Sequence, residues 1–306
     1  MKNFIFESKE KILKKVNPFS VWKKVFSERP LEEICFTHVS HGRKLRGYIC
    51  KPKDLEKCPL LPFDVGFLFR PWEIPLLTGA FAKMGYAVLG TEYKKEVMKS
   101  EVEDITSAIK TARKFPFYDG KIILAGISMG ASAMLKIAAE KNEIKKEIKY
   151  VIAMAPFANI AYMYLYAKEY ARLYDDWRAK LLAGYLEHAR GLHPFTHEKE
   201  SRIRSPINYV HKIECPVLFI HGKKDKIVPV DESISLYKEM ISAGKTAELK
   251  IVSGEGIHTP FPVNNDFMSL TTKENITALF ECIKNAKGFV QTIYYALSLL
   301  YSIAEK

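Results

Sequence analysis

The chain has 306 residues, 48% of them hydrophobic and 27% charged, with a formal net charge of +12. Apolar content on this scale supports a large buried core and excludes a disordered or low-complexity protein. The five cysteines (Cys35, Cys50, Cys58, Cys215, Cys282) are odd in number and form no Cys-x-x-Cys pair; this argues against a disulfide framework or a cysteine zinc site and for reduced thiols in a cytoplasmic protein.

Residues 1–30 read as an N-terminal extension of one or two short helices. Charge interrupts Met1–Glu7 too early for a secretory leader. Asn17 is placed to cap a helix with Pro18 at its first position, and Phe19, Trp22 and Phe26 then share a face. Such a basic amphipathic helix suits docking on the body of the protein better than a membrane surface. Residues 1–60 carry 14 Lys/Arg against 7 Asp/Glu, spread over several elements and without a helix-turn-helix, RNP or finger pattern. A basic solvated surface is therefore expected, and a nucleic-acid partner is not.

From residue 31 the periodicity becomes β-like. Ile34–Val39 and Leu45–Cys50 alternate as strands around a hairpin signal at Ser40–Lys44. Pro52–Pro62 reads as a loop, Phe63–Phe69 as a strand, Ile74–Met84 as a helix and Tyr86–Gly90 as a strand. A helix over Glu101–Phe115 puts Val102, Ile105, Ile109 and Ala112 on its inner face. Strand Lys121–Ile127, a turn at Ser128, a helix over Ala131–Glu140 and strand Tyr150–Ala155 follow. This alternation specifies an α/β fold: a mostly parallel central sheet with helices on both faces and the first hairpin as its antiparallel edge.

Residues 157–205 break the rhythm. They offer no strand, and the stripe Tyr162, Tyr166, Tyr170, Leu173, Trp177, Leu181 marks a helical lid insertion. The stripe reads first as a packing face and secondarily as the wall of an apolar acyl pocket, with Tyr162 and Tyr166 as substrate contacts. The sheet rhythm resumes with strand Pro216–Ile220, helix Glu232–Ala243 capped by Asp231, strand Glu248–Val252 and a helix over 273–287. The core is thus assigned to 31–156 and 206–287. The tail, 288–306, reads as an apolar helix at the lower length limit of a membrane span. Docking on the body, or self-association into a homodimer, ranks ahead of a membrane anchor.

Chemistry concentrates at Gly126-Ile127-Ser128-Met129-Gly130, a Gly-x-Ser-x-Gly pattern between a β-branched strand and a run of helix formers. A serine at so tight a turn needs neighbours without bulk, which Gly126 and Gly130 supply, and the next helix aims its first amides at it. A serine hydroxyl also needs a base, and the base a carboxylate to fix its tautomer. Asp225 follows the strand ending at Ile220 and His258 the strand ending at Val252, in the order Ser, Asp, His. Glu255 is a reserve for the acid, beside the histidine on the same loop. His188, His193 and His197 with Glu187 and Glu198 resemble a ligand cluster, but Gly191 and Pro194 break any common face, so neither a metal nor a cofactor is expected.

Three ordered motifs now carry a resemblance: Gly126–Gly130, the His-Gly-x-x-Asp-x-x-Val-Pro run at 221–229, and the Gly-x-Gly-x-His run ending at His258. The chain from about residue 31 to 285 resembles the α/β-hydrolase superfamily of serine hydrolases, nearest the group of dienelactone hydrolase and prolyl oligopeptidase-like esterases. The resemblance implies an α/β-hydrolase fold and a Ser-His-Asp triad. Ser128 would be the nucleophile, His258 the general base and then acid, Asp225 the orienting carboxylate, and Met129 N–H one oxyanion donor. Relatives place His-Gly-x after the strand read here to Phe69, whereas this chain has Arg70-Pro71-Trp72-Glu73. Pro71 has no N–H to give, so Trp72 is the expected second donor, with Arg70 a candidate cation for acidic substrates. The expected activity is hydrolysis of small carboxylic esters through an acyl-enzyme. Peptidase or thioesterase activity is the nearest alternative, and a catalytically idle binding scaffold is the alternative from another class.

Overall fold

The computed structural model describes residues 17–66, 75–94, 96, 98–188, 196–258 and 291–304. Strands β1 (Leu31–Ser40) and β2 (Arg43–Pro52) form the expected hairpin, longer than the alternation suggested. His41 and Gly42 turn it with φ of 48° and 73°, the two positive values that a two-residue turn between twisted strands requires. Then come β3 (Cys58–Asp64), α2 (Pro75–Lys83), β4 (Ala87–Thr91), α3 (Ser100–Ala112), β5 (Tyr118–Ile127), α4 (Met129–Ala139) and β6 (Ile148–Met154). Three helices follow, α5 (Ile160–Tyr174), α6 (Trp177–His188) and α7 (Glu198–Arg204), before β7 (Val217–Gly222), α8 (Val230–Ser242) and β8 (Ala247–Val252). A last helix, α9, spans 291–304.

The strands form one eight-stranded sheet in the order β1-β2-β4-β3-β5-β6-β7-β8. β2 runs antiparallel to both β1 and β4, and every later pairing is parallel. The period-2 pleat divides each inner strand between two cores. Leu60, Ile122, Val151 and Phe219 join α3, α4 and α8 on one face. Their neighbours Leu61, Ile123, Ile152 and Ile220 join α2, the N-terminal helix α1 (Pro18–Val25) and α9 on the other. Each such side chain contributes about 1.5–3 kcal/mol relative to exposure. Both faces are covered, as the alternation predicts.

Four readings need correction. The Pro52–Pro62 loop is in part β3, which runs through Pro59 and Pro62. Pro59 sits where the β3–β5 register shifts between Cys58 and Leu60, an irregularity that tolerates a residue without N–H. In α1 Val21 and Val25 are buried, while Phe26 lies beyond the helix and is 75% exposed; the side chains of Phe19 and Trp22 lie outside the described residues. Asp231 is not a cap: α8 begins at Val230, so the carboxylate lies in its first turn, where it meets the positive end of the helix dipole. The fourth concerns the tyrosine stripe. Residues 157–205 are broken at Asp175 (φ 54°), and α5 buries Ile160, Met163, Tyr164 and Ala167 instead. Much of the stripe faces outward, with Tyr162 42% and Trp177 64% exposed, while Tyr166 is half-buried against the core. Its rings stack on one another along the helix, Tyr162–Tyr166–Tyr170–Tyr174, at centroid distances of 6.3, 5.7 and 4.5 Å.

The tail docks on the body. Ala296, Leu297, Leu299 and Leu300 of α9 are buried in the same core as α1 and α2, and Tyr86 Oη donates to Leu300 O at 2.7 Å. Among the described residues no helix is long and apolar enough to cross a membrane. The helix expected over 273–287 lies outside the described residues.

One buried acid gives a stability prediction. Glu101 is fully buried in α3, where its Oε1 accepts from Met98 N at 2.7 Å and its Oε2 has no hydrogen-bond partner among the described residues. Burial pushes its pKa well above the usual carboxylate range, with the charge of Asp64 adding to the shift and the Met98 amide opposing it. A folded-state pKa above the unfolded one means stability that is present at acid pH and lost as pH rises towards the folded value. Glu101→Gln keeps the acceptor and removes the proton equilibrium. Thermal melts from pH 5 to 8 should show the variant gaining on wild type as pH rises; parallel profiles would contradict the assignment.

Candidate active site

β5 delivers Ser128 to the C-terminal edge of the sheet, and α4 starts at the next residue. Ser128 has φ 56° and ψ −124°, a conformation non-glycine residues avoid, at a cost of about 1–3 kcal/mol that the surroundings must offset. Ser128 N donates to Met154 O of β6 at 2.8 Å, and Ser132 N to Ser128 O at 3.2 Å, so the turn is held from both sides. The flanking glycines are steric necessities. A Cβ at Gly126 would come within 2.5 Å of Gly130 C, and one at Gly130 within 2.4 Å of Asp64 O. A Cβ at Gly66, just past β3, would stand 3.2 Å from Met129 N and 3.1 Å from Gly130 N, so bare backbone passes beside the first amides of α4. Tyr93 Oη lies 2.9 Å from Gly66 O and 3.0 Å from Asp64 Oδ1, holding the end of β3 there.

The acid and the histidine meet. Asp225, in the loop after β7, places Oδ2 2.5 Å from His258 Nδ1. Its Oδ1 accepts from the amides of Ile227 and Val228 at 2.9 and 3.0 Å, and His221 Nε2 stands 3.5 Å from Oδ2. Burial alone would raise the Asp225 pKa. The charge of His258 and the hydrogen bonds from His221 and His258 outweigh it and hold the carboxyl well below its usual range. An ionised carboxylate only accepts, so Nδ1 of His258 carries a proton and Nε2 of the neutral ring is left as the base. That Nε2 is buried and makes no hydrogen bond within the described residues. The structure thus joins Asp225 to His258 directly and leaves the Ser128 hydroxyl on the same sheet edge without a hydrogen bond to the ring.

Several neighbouring residues support the pair. His221 is buried at the end of β7, where Nε2 donates to Val228 O at 2.9 Å and Nδ1 meets Ser233 Oγ at 2.6 Å. Gly222 has to be glycine because a Cβ there would lie 2.3 Å from Glu255 C, so the two catalytic-side loops touch backbone to backbone. Gly254 and Gly256 (φ 66° and 61°) then bend the chain into the short turn that ends at His258. Glu255, the reserve acid, pairs instead with Arg178 of α6 (3.4 Å) and Lys226 (3.3 Å). Tyr166 Oη donates to Lys226 O at 3.2 Å, and burial, helped by the Tyr170 and Asp225 charges, pushes its pKa up to about 12, so it keeps its proton. Tyr162 stacks on Tyr166 and is otherwise open to solvent. Burial pushes the thiols of Cys50 and Cys58 up to about 11 and that of Cys215 to about 12, which leaves these three poor nucleophiles. Arg70 and Trp72 lie outside the described residues, as does His193.

Comparison with known proteins agrees with this architecture. The BD-FAE family model matches residues 74–240. The uncharacterized protein YqkD of Bacillus subtilis (strain 168) is 29% identical over an alignment of 220 residues that covers 68% of this chain and 68% of that one. An esterase of Pyrobaculum calidifontis superimposes with a TM-score of 0.65 at 20% identity, covering 94% of this chain and 90% of that one. The acylaminoacyl peptidase of Pyrococcus horikoshii does so with a TM-score of 0.62 at 18% identity, over 91% of this chain. This chain spans less than half the length of that peptidase, 46%. The central sheet, its strand order and the match over more than half the chain place the protein in the BD-FAE family, with the α/β-hydrolase fold.

Proposed function

We propose that this protein is a serine hydrolase that cleaves small carboxylic esters through an acyl-enzyme. The observation that carries the reading is the 2.5 Å contact between Asp225 Oδ2 and His258 Nδ1 at the sheet edge where the strained Ser128 turn also ends. The Pyrobaculum esterase, matched nearly end to end, favours an ester over the peptide substrate of a chain twice as long.

In the proposed reaction Ser128 Oγ attacks the ester carbonyl carbon as its proton passes to His258 Nε2. The Met129 amide, first of α4 and without a helical acceptor, donates to the oxyanion. The imidazolium returns the proton to the departing alkoxide as the C–O bond breaks. Water then attacks the acyl-enzyme with His258 again as base, and Ser128 leaves with its proton restored. Asp225 holds the tautomer and stabilises the transient imidazolium throughout. Trp72 is assigned as second oxyanion donor, and Arg70 as the cation that would favour acidic substrates. Residues 157–205 act as the cap, with Tyr162 and Tyr166 on its substrate side, over a body formed by 31–156 and 206–287.

A panel of p-nitrophenyl esters from acetate to octanoate, with a thioester and an aminoacyl amide beside it, tests the reading. Ester turnover that disappears in Ser128→Ala is expected. A folded protein that turns over none of these substrates would leave the binding-scaffold alternative, and amide turnover above ester turnover would point to a peptidase.

A further inference from the structure

We propose that Arg178 is a positioning residue through which the helical segment between β6 and β7 fixes the catalytic histidine loop. The proposal rests on the hydrolase reading above and adds a residue to it.

Arg178 sits one residue into α6, and its side chain is only 18% exposed. Nε and Nη2 fork onto Asp176 at 3.2 and 2.8 Å, which locks the guanidinium plane. Nη1 then points away from α6 and is shared between Glu255 Oε2 at 3.4 Å and the main-chain oxygen of His258 at 3.3 Å. Glu255 in turn meets Lys226 of the acid loop at 3.3 Å, and Tyr166 of α5 donates to Lys226 O. Helices α5 and α6 therefore touch the loops that carry Asp225 and His258, and Glu255 ties those loops together.

The histidine loop needs such a hold. It contains two glycines at positive φ, and among the described residues a long amide contact (His258 N to Glu255 O, 3.3 Å) closes its final turn. Proton transfer between serine and imidazole is sensitive to displacement, since about 1 Å of misplacement costs roughly 10²-fold in rate. A guanidinium fixed by one carboxylate offers a rigid donor to a second carboxylate and a carbonyl at once. A lysine, with a single flexible ammonium, reproduces only part of that. An ordinary surface ion pair would make little difference to anything, but Arg178 and Glu255 are largely shielded, and the carbonyl involved belongs to the histidine itself.

The test uses the full chain with p-nitrophenyl acetate and a fluorophosphonate. Arg178→Ala should lower kcat by about 10- to 100-fold with KM within about twofold, because the hold acts on the base rather than on substrate. Millimolar guanidinium should restore part of that rate and urea should not; Arg178→Lys should fall between the two. Should Arg178→Ala fail to fold by circular dichroism, Glu255→Gln takes its place. It removes one acceptor while leaving Asp176 to hold the arginine, and a several-fold loss in kcat is expected. Wild-type kcat in Arg178→Ala or Glu255→Gln overturns the positioning role and leaves the hydrolase reading intact. A loss of rate that guanidinium does not relieve and that tracks a lowered melting temperature also overturns it. Absence of turnover and labelling in the wild type overturns the hydrolase reading, and this proposal with it.

Discussion

Ser128→Ala is expected to reduce ester turnover by at least about 10⁴-fold while leaving the fold in place. The residual rate is what oxyanion donation and substrate binding supply without a nucleophile. The fold should tolerate the change because the Ser128 hydroxyl is not what holds the turn. Its amide and carbonyl do that, through Met154 O and Ser132 N, and alanine keeps both. The positive φ of 56° is as strained for alanine as for serine, so melting temperatures should be close. Steady-state kinetics on p-nitrophenyl acetate beside a thermal melt separates the two quantities. Turnover retained within tenfold, with an unchanged melt, would remove Ser128 from the mechanism.

The second large effect belongs to Asp225. Asp225→Asn should lower kcat by about 10⁴-fold. An asparagine oxygen can still accept from the Ile227 and Val228 amides, so the loop keeps its shape. Its NH₂ then faces His258 Nδ1, which turns the ring to the tautomer with the proton on Nε2, where the base should be free. Stability changes as well, and its sign follows from the depressed pKa. A carboxyl held below its unfolded value stabilises the fold above that unfolded value, near 3.9, and loses the contribution as pH falls towards the folded one. The difference in melting temperature between wild type and Asp225→Asn should therefore be largest at neutral pH and shrink below about pH 4. An undiminished kcat, or a difference in stability that widens in acid, would contradict the assigned role.

Much of this site is legible in the sequence because its requirements are local. The turn at Ser128 must follow a strand, open a helix and be flanked by glycine, and all three conditions are visible within twenty residues. Asp225 and His258 stand directly after strands whose apolar runs are unmistakable, so the sheet carries them to one edge. What stayed hidden depends on contacts between distant segments. Pro59 and Pro62 look like loop residues, yet β3 pairs on both sides and absorbs Pro59 at a register shift. The stripe from Tyr162 to Leu181 has helical spacing, but spacing alone does not say which face is buried. Met163, Ala167 and Tyr164 pack inward, while Tyr162, Tyr166 and Tyr170 stack on one another along the helix with Tyr166 half-buried. Arg178 and Glu255 are 77 residues apart and have no shared motif. Only the approach of α6 to the histidine loop joins them.

The central claim is that Ser128 is a nucleophile activated by His258 and Asp225, and covalent capture tests it most directly. The wild-type chain treated with a fluorophosphonate should gain a single adduct by intact-protein mass spectrometry, mapped by peptide sequencing to Ser128. Labelling should slow sharply in His258→Ala and Asp225→Asn and vanish in Ser128→Ala. A folded wild-type protein that takes no label, or a label that maps to another residue and persists in Ser128→Ala, would contradict it.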